Sequence, residues 1–400
     1  LALGHNHKKI IDVERKFQDL NIIDTQKFGP NKLQAALAYN LSQLLPEDLE
    51  VSFFAVSGAE SVEAAIKLST MAKDNGAKYF ISATEGYHGK TLGALSLTDT
   101  ENFSEGFHVG LPKENTKKIE YNNIQAYKDI ITKLSKEKII AIIIEPIQGQ
   151  IVEVAKKNYL KEICAISKKN NIIVIFDEIK CGLGRSGNLF SFLDHECVPD
   201  IVTTSKALGG GKNAISAMIA RKKIFNRAYG SINKSTLHTT TFFGLGEACA
   251  TAIETLNIIS DENFLKTIRT KSENIFQELN KLKDKYPRYI KSIKGKGLFI
   301  GIEFDFDHII SNVTFKKIKI PFMKSIKTVL MGAIVREYLH EHKVLLHFNN
   351  SQPETLVFLP PLIISDGEIN TFIDSTKKVL EKGLLNLFVK FIIGNIKVNN

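Results

Sequence analysis

The run Ile172-Ile173-Val174-Ile175-Phe176-Asp177-Glu178 is an unbroken apolar stretch closed by two carboxylates. A continuous run rich in β-branched residues reads as a strand buried on both faces, as in a parallel sheet covered by helices. Acids at the C-terminal end of such a strand stand where open α/β sheets bind their ligands. Successive side chains point to opposite faces, so only one of the pair can face a given ligand.

Working outward, runs of the same kind predict further strands over Phe53–Ser57, Lys78–Ala83, Ile139–Pro146, Ile201–Lys206 and Ser216–Ala220, with the first run spanning Ile172–Ile179. Amphipathic stretches at Ser61–Lys73, Asn123–Lys136 and Asn158–Asn170 lie between them. Alternation of strand and helix predicts an α/β fold with a mostly parallel central sheet. Helices are expected over Gly246–Ser260 and from about Asn263. Beyond about Lys291 the texture changes to that of a smaller α+β domain. Its expected strands are Gly297–Phe304, Lys343–Phe348 and Thr355–Leu359; its helices are Ser325–His342 and Asp366–Lys382. The expected organisation is an N-terminal segment (1–30), a large domain (31–262) and a small C-terminal domain (263–400). The apolar, lysine-bearing tail Leu384–Val398 is expected to be a packed terminal helix rather than a membrane-surface one.

The formal net charge is +10, from 53 Lys and Arg against 43 Asp and Glu. The lysines are scattered and no nucleic-acid motif accompanies them, so the excess reads as solvated surface rather than a nucleic-acid footprint. No apolar run is long enough to span a bilayer. Cys164, Cys181, Cys197 and Cys249 form no CxxC pair. A reduced, cytoplasmic protein is expected. The opening LALGHNH has neither a charged start nor an apolar core, so no signal peptide is readable.

Five short segments can carry chemistry. Ser57-Gly58-Ala59-Glu60 is a capping box, hence a helix start, and its free amides could also bind a phosphate. Tyr87-His88-Gly89-Lys90-Thr91 is either a turn with a surface histidine or an aromatic poised to stack on a flat ligand. Asp177-Glu178 has been described. In Ser205-Lys206-Ala207-Leu208-Gly209-Gly210-Gly211, a lone lysine ends an apolar strand. Partial desolvation would make it a nucleophile, with the glycines giving backbone freedom around a bulky ligand. Thr239-Thr240-Thr241-Phe242 offers hydroxyls that could simply cap the next helix. Gly182-Leu183-Gly184-Arg185-Ser186-Gly187 is formally GxGxxG. It lacks the following small-residue helix and comes well into the chain, so it is not read as a dinucleotide loop.

Together these segments ask for a ligand with a phosphate, a flat ring, a basic ring nitrogen and a carbonyl that reacts with lysine, which describes pyridoxal 5'-phosphate (PLP). The segments SGAESVEAAIK, YHGKTLGALSLT, IIEPIQG, VIFDEIKCGLGRSG, TTSKALGGG, HTTTF and FLPPLII resemble, in order, those of the class III aminotransferases, the ornithine/putrescine/4-aminobutyrate group of fold-type-I PLP enzymes. The resemblance implies that Lys206 carries the Schiff base and moves the proton, and that Asp177 pairs with the pyridinium nitrogen. Ser57, Gly58 and Ala59 would bind the phosphate, and Tyr87 would cover the ring beside His88. Lys180 would lie near the ring oxygen, and Thr241 would reach the phosphate of the neighbouring subunit in a homodimer. The implied reaction takes an amino group from an amine donor to a 2-oxo acid. An aminomutase, a decarboxylase or a silent binding module would keep the same fold.

Four positions depart from the family pattern. Lys180 replaces Gln, Gln150 replaces the acid of Gln-Gly-Glu, Val357 stands where Arg is frequent, and Lys8 replaces Pro. The opening lies inside the family's GHNHP motif, so the segment that helps form the substrate mouth is expected to be absent from the chain. Loss of the Arg and its acid together predicts a donor without an α-carboxylate at its reacting end, such as a putrescine-like diamine.

Overall fold

The computed structural model describes residues 1–25, 31–73, 76–99, 101–104, 106–107, 110–311, 320–349 and 352–398. The chain divides into two compact units. One comprises Leu1–Gly149 and Val154–Leu265, the other Gln150–Glu153 and Lys266–Asn400. The division falls within the helix Glu262–Lys285 rather than at its start. Residues 1–25 belong to the first unit, while 26–30 lie outside the described residues. Leu3 and Ile10 are fully buried, and the helix Lys8–Asp19 packs on the helix Gly246–Ile259.

The first unit is built on seven strands: β1 (Leu49–Ala55), β2 (Tyr79–Ala83), β3 (Thr116–Ile119), β4 (Ile139–Ile144), β5 (Ile173–Asp177), β6 (Ile201–Thr204) and β7 (Ser216–Arg221). Their order is β1-β7-β6-β5-β4-β2-β3, and β7 alone runs against the others. All six residues of β4 and all five of β5 are buried, as their unbroken apolar sequences require. The helix Gly58–Lys73 lies across one face of the sheet. Its small residues Ala64 and Ala65 permit close approach to Ile143, Ile175 and Met218 in one apolar cluster. Each such isoleucine contributes about 1.5–3 kcal/mol by leaving water.

The strand β3 was not read from the sequence, because Thr116-Lys117-Lys118-Ile119 has the charge of a protected sheet edge rather than an apolar core. The expected strand Phe53–Ser57 is displaced towards the N-terminus as β1, because Ser57 serves instead as the cap of the following helix.

The second unit carries β8 (Ile290–Lys296), β9 (Phe299–Phe304), β10 (His347–Asn349) and β11 (Gln352–Phe358), antiparallel in the order β10-β11-β9-β8. The strand expected from Lys343 begins only at His347, because Lys343 takes a left-handed φ of 59° as it leaves the helix Ile320–His342. The tail forms the helix Leu384–Val398, which packs on Ile320–His342 and buries Leu384 and Leu387. Among the described residues, no helix is long and apolar enough to cross a membrane.

Candidate active site

The C-terminal ends of β2, β4, β5 and β6, neighbours in the sheet, bring most of the predicted residues into one region. Asp177 closes β5 and is almost wholly buried. Its Oδ2 lies 2.8 Å from His88 Nδ1, while Oδ1 accepts from the Ile179 amide at 3.1 Å and from Thr203 Oγ1 at 3.2 Å. Glu178 points the other way. Its carboxylate accepts the amides of Ser191 (3.0 Å) and Phe192 (2.7 Å), and burial pushes it up to about 7. Strand alternation therefore divides the two acids, one towards the loop after β2 and one into the packing beneath.

His88 is buried rather than a surface turn residue. It comes from the loop after β2, where the Tyr87 amide donates to Glu145 Oε2 at 2.9 Å. Glu145, just beyond β4, also accepts the Gly149 amide at 2.8 Å, and burial raises its pKa. Gly89 has φ 132°, and a Cβ there would stand 2.8 Å from the Ala59 Cβ. This close approach holds the Tyr87-His88 loop against the helix that begins at Gly58. Glycine at 58 itself answers to packing: a Cβ would meet Ile179 at 3.0 Å. Ser57 caps this helix, and its amide donates to Glu60 at 2.7 Å.

Lys206 follows β6 by two residues and has φ 39°, a left-handed conformation costly for a residue with a Cβ. Burial lowers its pKa, against the opposing charges of Asp177 and Glu145. By surface area the residue is nevertheless exposed. Protein surrounds the side chain closely enough to desolvate it while part of the residue stays open to solvent. Lys180 donates to the Gly149 carbonyl and is lowered to about 8, by burial first and then by the charge of Lys206. Buried Arg185 is lowered to about 10 by desolvation. Packing within the fold by itself calls for glycine at two of the positions after Lys206. Gly210 (φ 64°) would press a Cβ to 2.7 Å from Thr255 Oγ1 and 2.9 Å from Ile10, and Gly211 faces Leu1 and Gly4.

Thr241 lies in an exposed loop, and the next helix is preceded by Leu245, so Thr241 is not its cap. Val357 is buried on β11, opposite Gly301 of β9. GLGRSG is a closed turn in which the Gly184 amide donates to Asn188 O at 3.1 Å, not the opening of a helix. Sequence reasoning did not single out Glu145, Thr203 or Arg185. The available signal was that Glu145, like Asp177, is an acid directly after an apolar strand.

The residues fit a cationic ring nitrogen and an aldehyde. Asp177 is a buried carboxylate whose partners are an imidazole, an amide and a hydroxyl, and burying a carboxylate is costly without a cation nearby. His88 Nε2 is buried with no hydrogen-bond partner. The lysine at the end of the neighbouring strand is shifted towards its neutral, nucleophilic form.

The chain resembles known proteins over nearly its whole length. The family model described as aminotransferase class-III matches residues 1–380. An acetylornithine aminotransferase of Methanocaldococcus jannaschii is 32% identical over 385 residues, covering 94% of this chain and 85% of that protein. Among solved structures, a thermostable (S)-enantioselective omega-transaminase from Thermomicrobium roseum aligns with a TM-score of 0.83 and 25% identity, over 95% of this chain and 86% of that one. The ornithine aminotransferase of Toxoplasma gondii aligns with a TM-score of 0.81 and 26% identity, over 96% and 85%.

Proposed function

Because the chain belongs to the class III aminotransferase family, whose members are PLP-dependent, we propose that Lys206 and Asp177 are the residues through which this protein carries out transamination. The enzyme has the fold-type-I architecture of its structural relatives. PLP, when bound, supplies an electron sink and a carbonyl that forms a Schiff base.

The observation that carries the assignment is the placement of Asp177 and Lys206 at the same ends of paired strands β5 and β6. Asp177, held by His88 and Thr203, would accept a hydrogen bond from the pyridine nitrogen and keep it protonated. Lys206 Nζ would hold the carbonyl carbon and, once released, take and return the proton at the reacting carbon of the donor. Its depressed pKa raises the neutral fraction able to accept that proton. The amides of Gly58 and Ala59, at the start of a 16-residue helix, offer a phosphate site beside Ser57, whose own amide is taken by Glu60. Tyr87 would cover one face of the ring. Thr241, exposed in the isolated chain, suits a role across a homodimer interface.

Reducing the holoenzyme with borohydride and mapping its peptides should place the pyridoxyl group on Lys206. A label on Lys180 or Lys212 would overturn the assignment.

For the donor, the reading is an amine without an α-carboxylate at its reacting end, with diamines first, and a 2-oxo acid as acceptor. Val357 and Gln150 support it, because Val357 cannot clamp a carboxylate as the Arg of the family pattern can, and Gln150 replaces the acid that can pair with that Arg. Acetylornithine and ornithine, named for two of the relatives, each bear a terminal primary amine. Single-turnover half-reactions with matched donors test it. Rapid reaction with alanine and none with putrescine would refute it.

A further inference from the structure

A cavity of about 470 Å³ opens at the other ends of the same strands, beside the start of β5. The helix Tyr159–Lys169 contributes Cys164 to its wall, and the segment leading into β6 contributes Cys197. Both thiols are free and half-buried. They line the cavity together, and Cys164 Sγ lies 3.9 Å from the carbonyl of Val198, the residue that follows Cys197. The Lys161 ammonium, paired with Glu196 at 2.6 Å, lines the same cavity. The backbone around them is fixed: Val174 N donates to Asp200 Oδ2 at 3.0 Å, and Asp200 N donates to Val174 O at 2.9 Å.

From this juxtaposition we propose that Cys164 and Cys197 are a reversible thiol–disulfide site. It would react with low-molecular-weight disulfides and staple the helix Tyr159–Lys169 to the approach of β6. Two thiols on the wall of one cavity, with Cys164 Sγ against the residue next to Cys197 and both on anchored segments, can be joined with little backbone movement. Cys181 and Cys249 differ, being buried away from such a reagent.

The order of attack follows from the local chemistry. Neighbouring Cys197, and then burial, push the Cys164 thiol well above the usual range. Cys197 therefore attacks first, losing its proton, on one sulfur of the external disulfide. That bond breaks, and one external thiolate leaves and takes up the proton Cys197 lost. Cys164 then attacks the Cys197 sulfur of the mixed disulfide and gives its proton to the second departing thiolate. The external disulfide is reduced to two thiols, and the protein loses two hydrogens and two electrons in forming its own S–S bond.

The test uses the holoenzyme and glutathione disulfide, followed by non-reducing peptide mapping. We expect one linked Cys164–Cys197 peptide, reversed by dithiothreitol, and a higher melting temperature for the oxidised form, because the cross-link restricts the unfolded chain. Cys164→Ser should trap a single glutathione adduct on Cys197, while Cys197→Ser should give neither adduct nor linkage. Separate adducts on both cysteines of the wild type, a bond to Cys181 or Cys249, no reaction, or linkage without a rise in melting temperature would each overturn the proposal. The outcome is independent of the transamination reading.

Discussion

The two ends of the parallel strands handle buried charge in opposite ways. At the N-terminal ends, Arg221 bonds to Glu47 and Asp48 and lies 3.6 Å from Asp200, which also ties down the Val174 amide. Burial alone would lower Arg221, but the Glu47 and Asp48 hydrogen bonds outweigh it and raise the pKa. At the C-terminal ends, burial lowers Lys206, Lys180 and Arg185, while Asp177 is held by neutral donors and an imidazole. One end is a neutralised joint that fixes the sheet. The other keeps its titratable groups away from full compensation, as a site that must receive a charged ligand and move protons requires.

Four measurements can break this contrast. The largest effect is expected at Lys206: Lys206→Ala should lower turnover about 10³-fold or more, since it removes both the covalent anchor and the proton carrier. Its melting temperature should stay close to that of the wild type or rise, because a desolvated ammonium is removed. A modest loss of turnover would remove Lys206 from the chemistry. Next, Asp177→Asn should keep PLP binding but lose on the order of 10²-fold in turnover, as expected when a preorganised electrostatic partner is deleted. Near-normal turnover would mean that Asp177 serves the fold alone.

Arg221→Ala should show the converse pattern. Stability should fall by about 2–3 kcal/mol, the scale of charged hydrogen bonds lost from a partly buried site, while kcat changes little in the protein that remains folded. Denaturant titration beside steady-state kinetics separates the two. A fall in kcat with unchanged stability would dissolve the contrast.

The smallest effect, and the most diagnostic, concerns Lys180. Its folded pKa of about 8 lies below the ordinary lysine value of 10.5, so between these limits the unfolded chain binds more protons than the folded one. Its destabilising effect is therefore full below pH 8 and fades as pH rises towards 10.5. Lys180→Gln keeps a donor for the Gly149 carbonyl and should raise the melting temperature at pH 7, with the gain shrinking above pH 8. A gain independent of pH would show that the lysine is not desolvated in the folded state.

The sequence by itself determined the layered α/β architecture. Runs such as Ile139–Ile144 and Ile173–Phe176 have no stable place except buried between helices, and the capping box at Ser57 fixes where a helix begins. It also marked Asp177 and Lys206, because a charged residue at the end of so apolar a strand is costly unless something meets it. Only the tertiary structure decided which groups meet. That His88 lies on Asp177, 89 residues away in sequence, rather than in water depends on the loop after β2 folding back over β5. Glu178, next to Asp177 in the chain, is turned to the amides of Ser191 and Phe192. The glycines after Lys206 are required by Ile10, Thr255 and the first residues of the chain. Local patterns report what each segment must bury or cap. Partners distant in sequence become neighbours only through strand order and crossover connections, which no local pattern encodes.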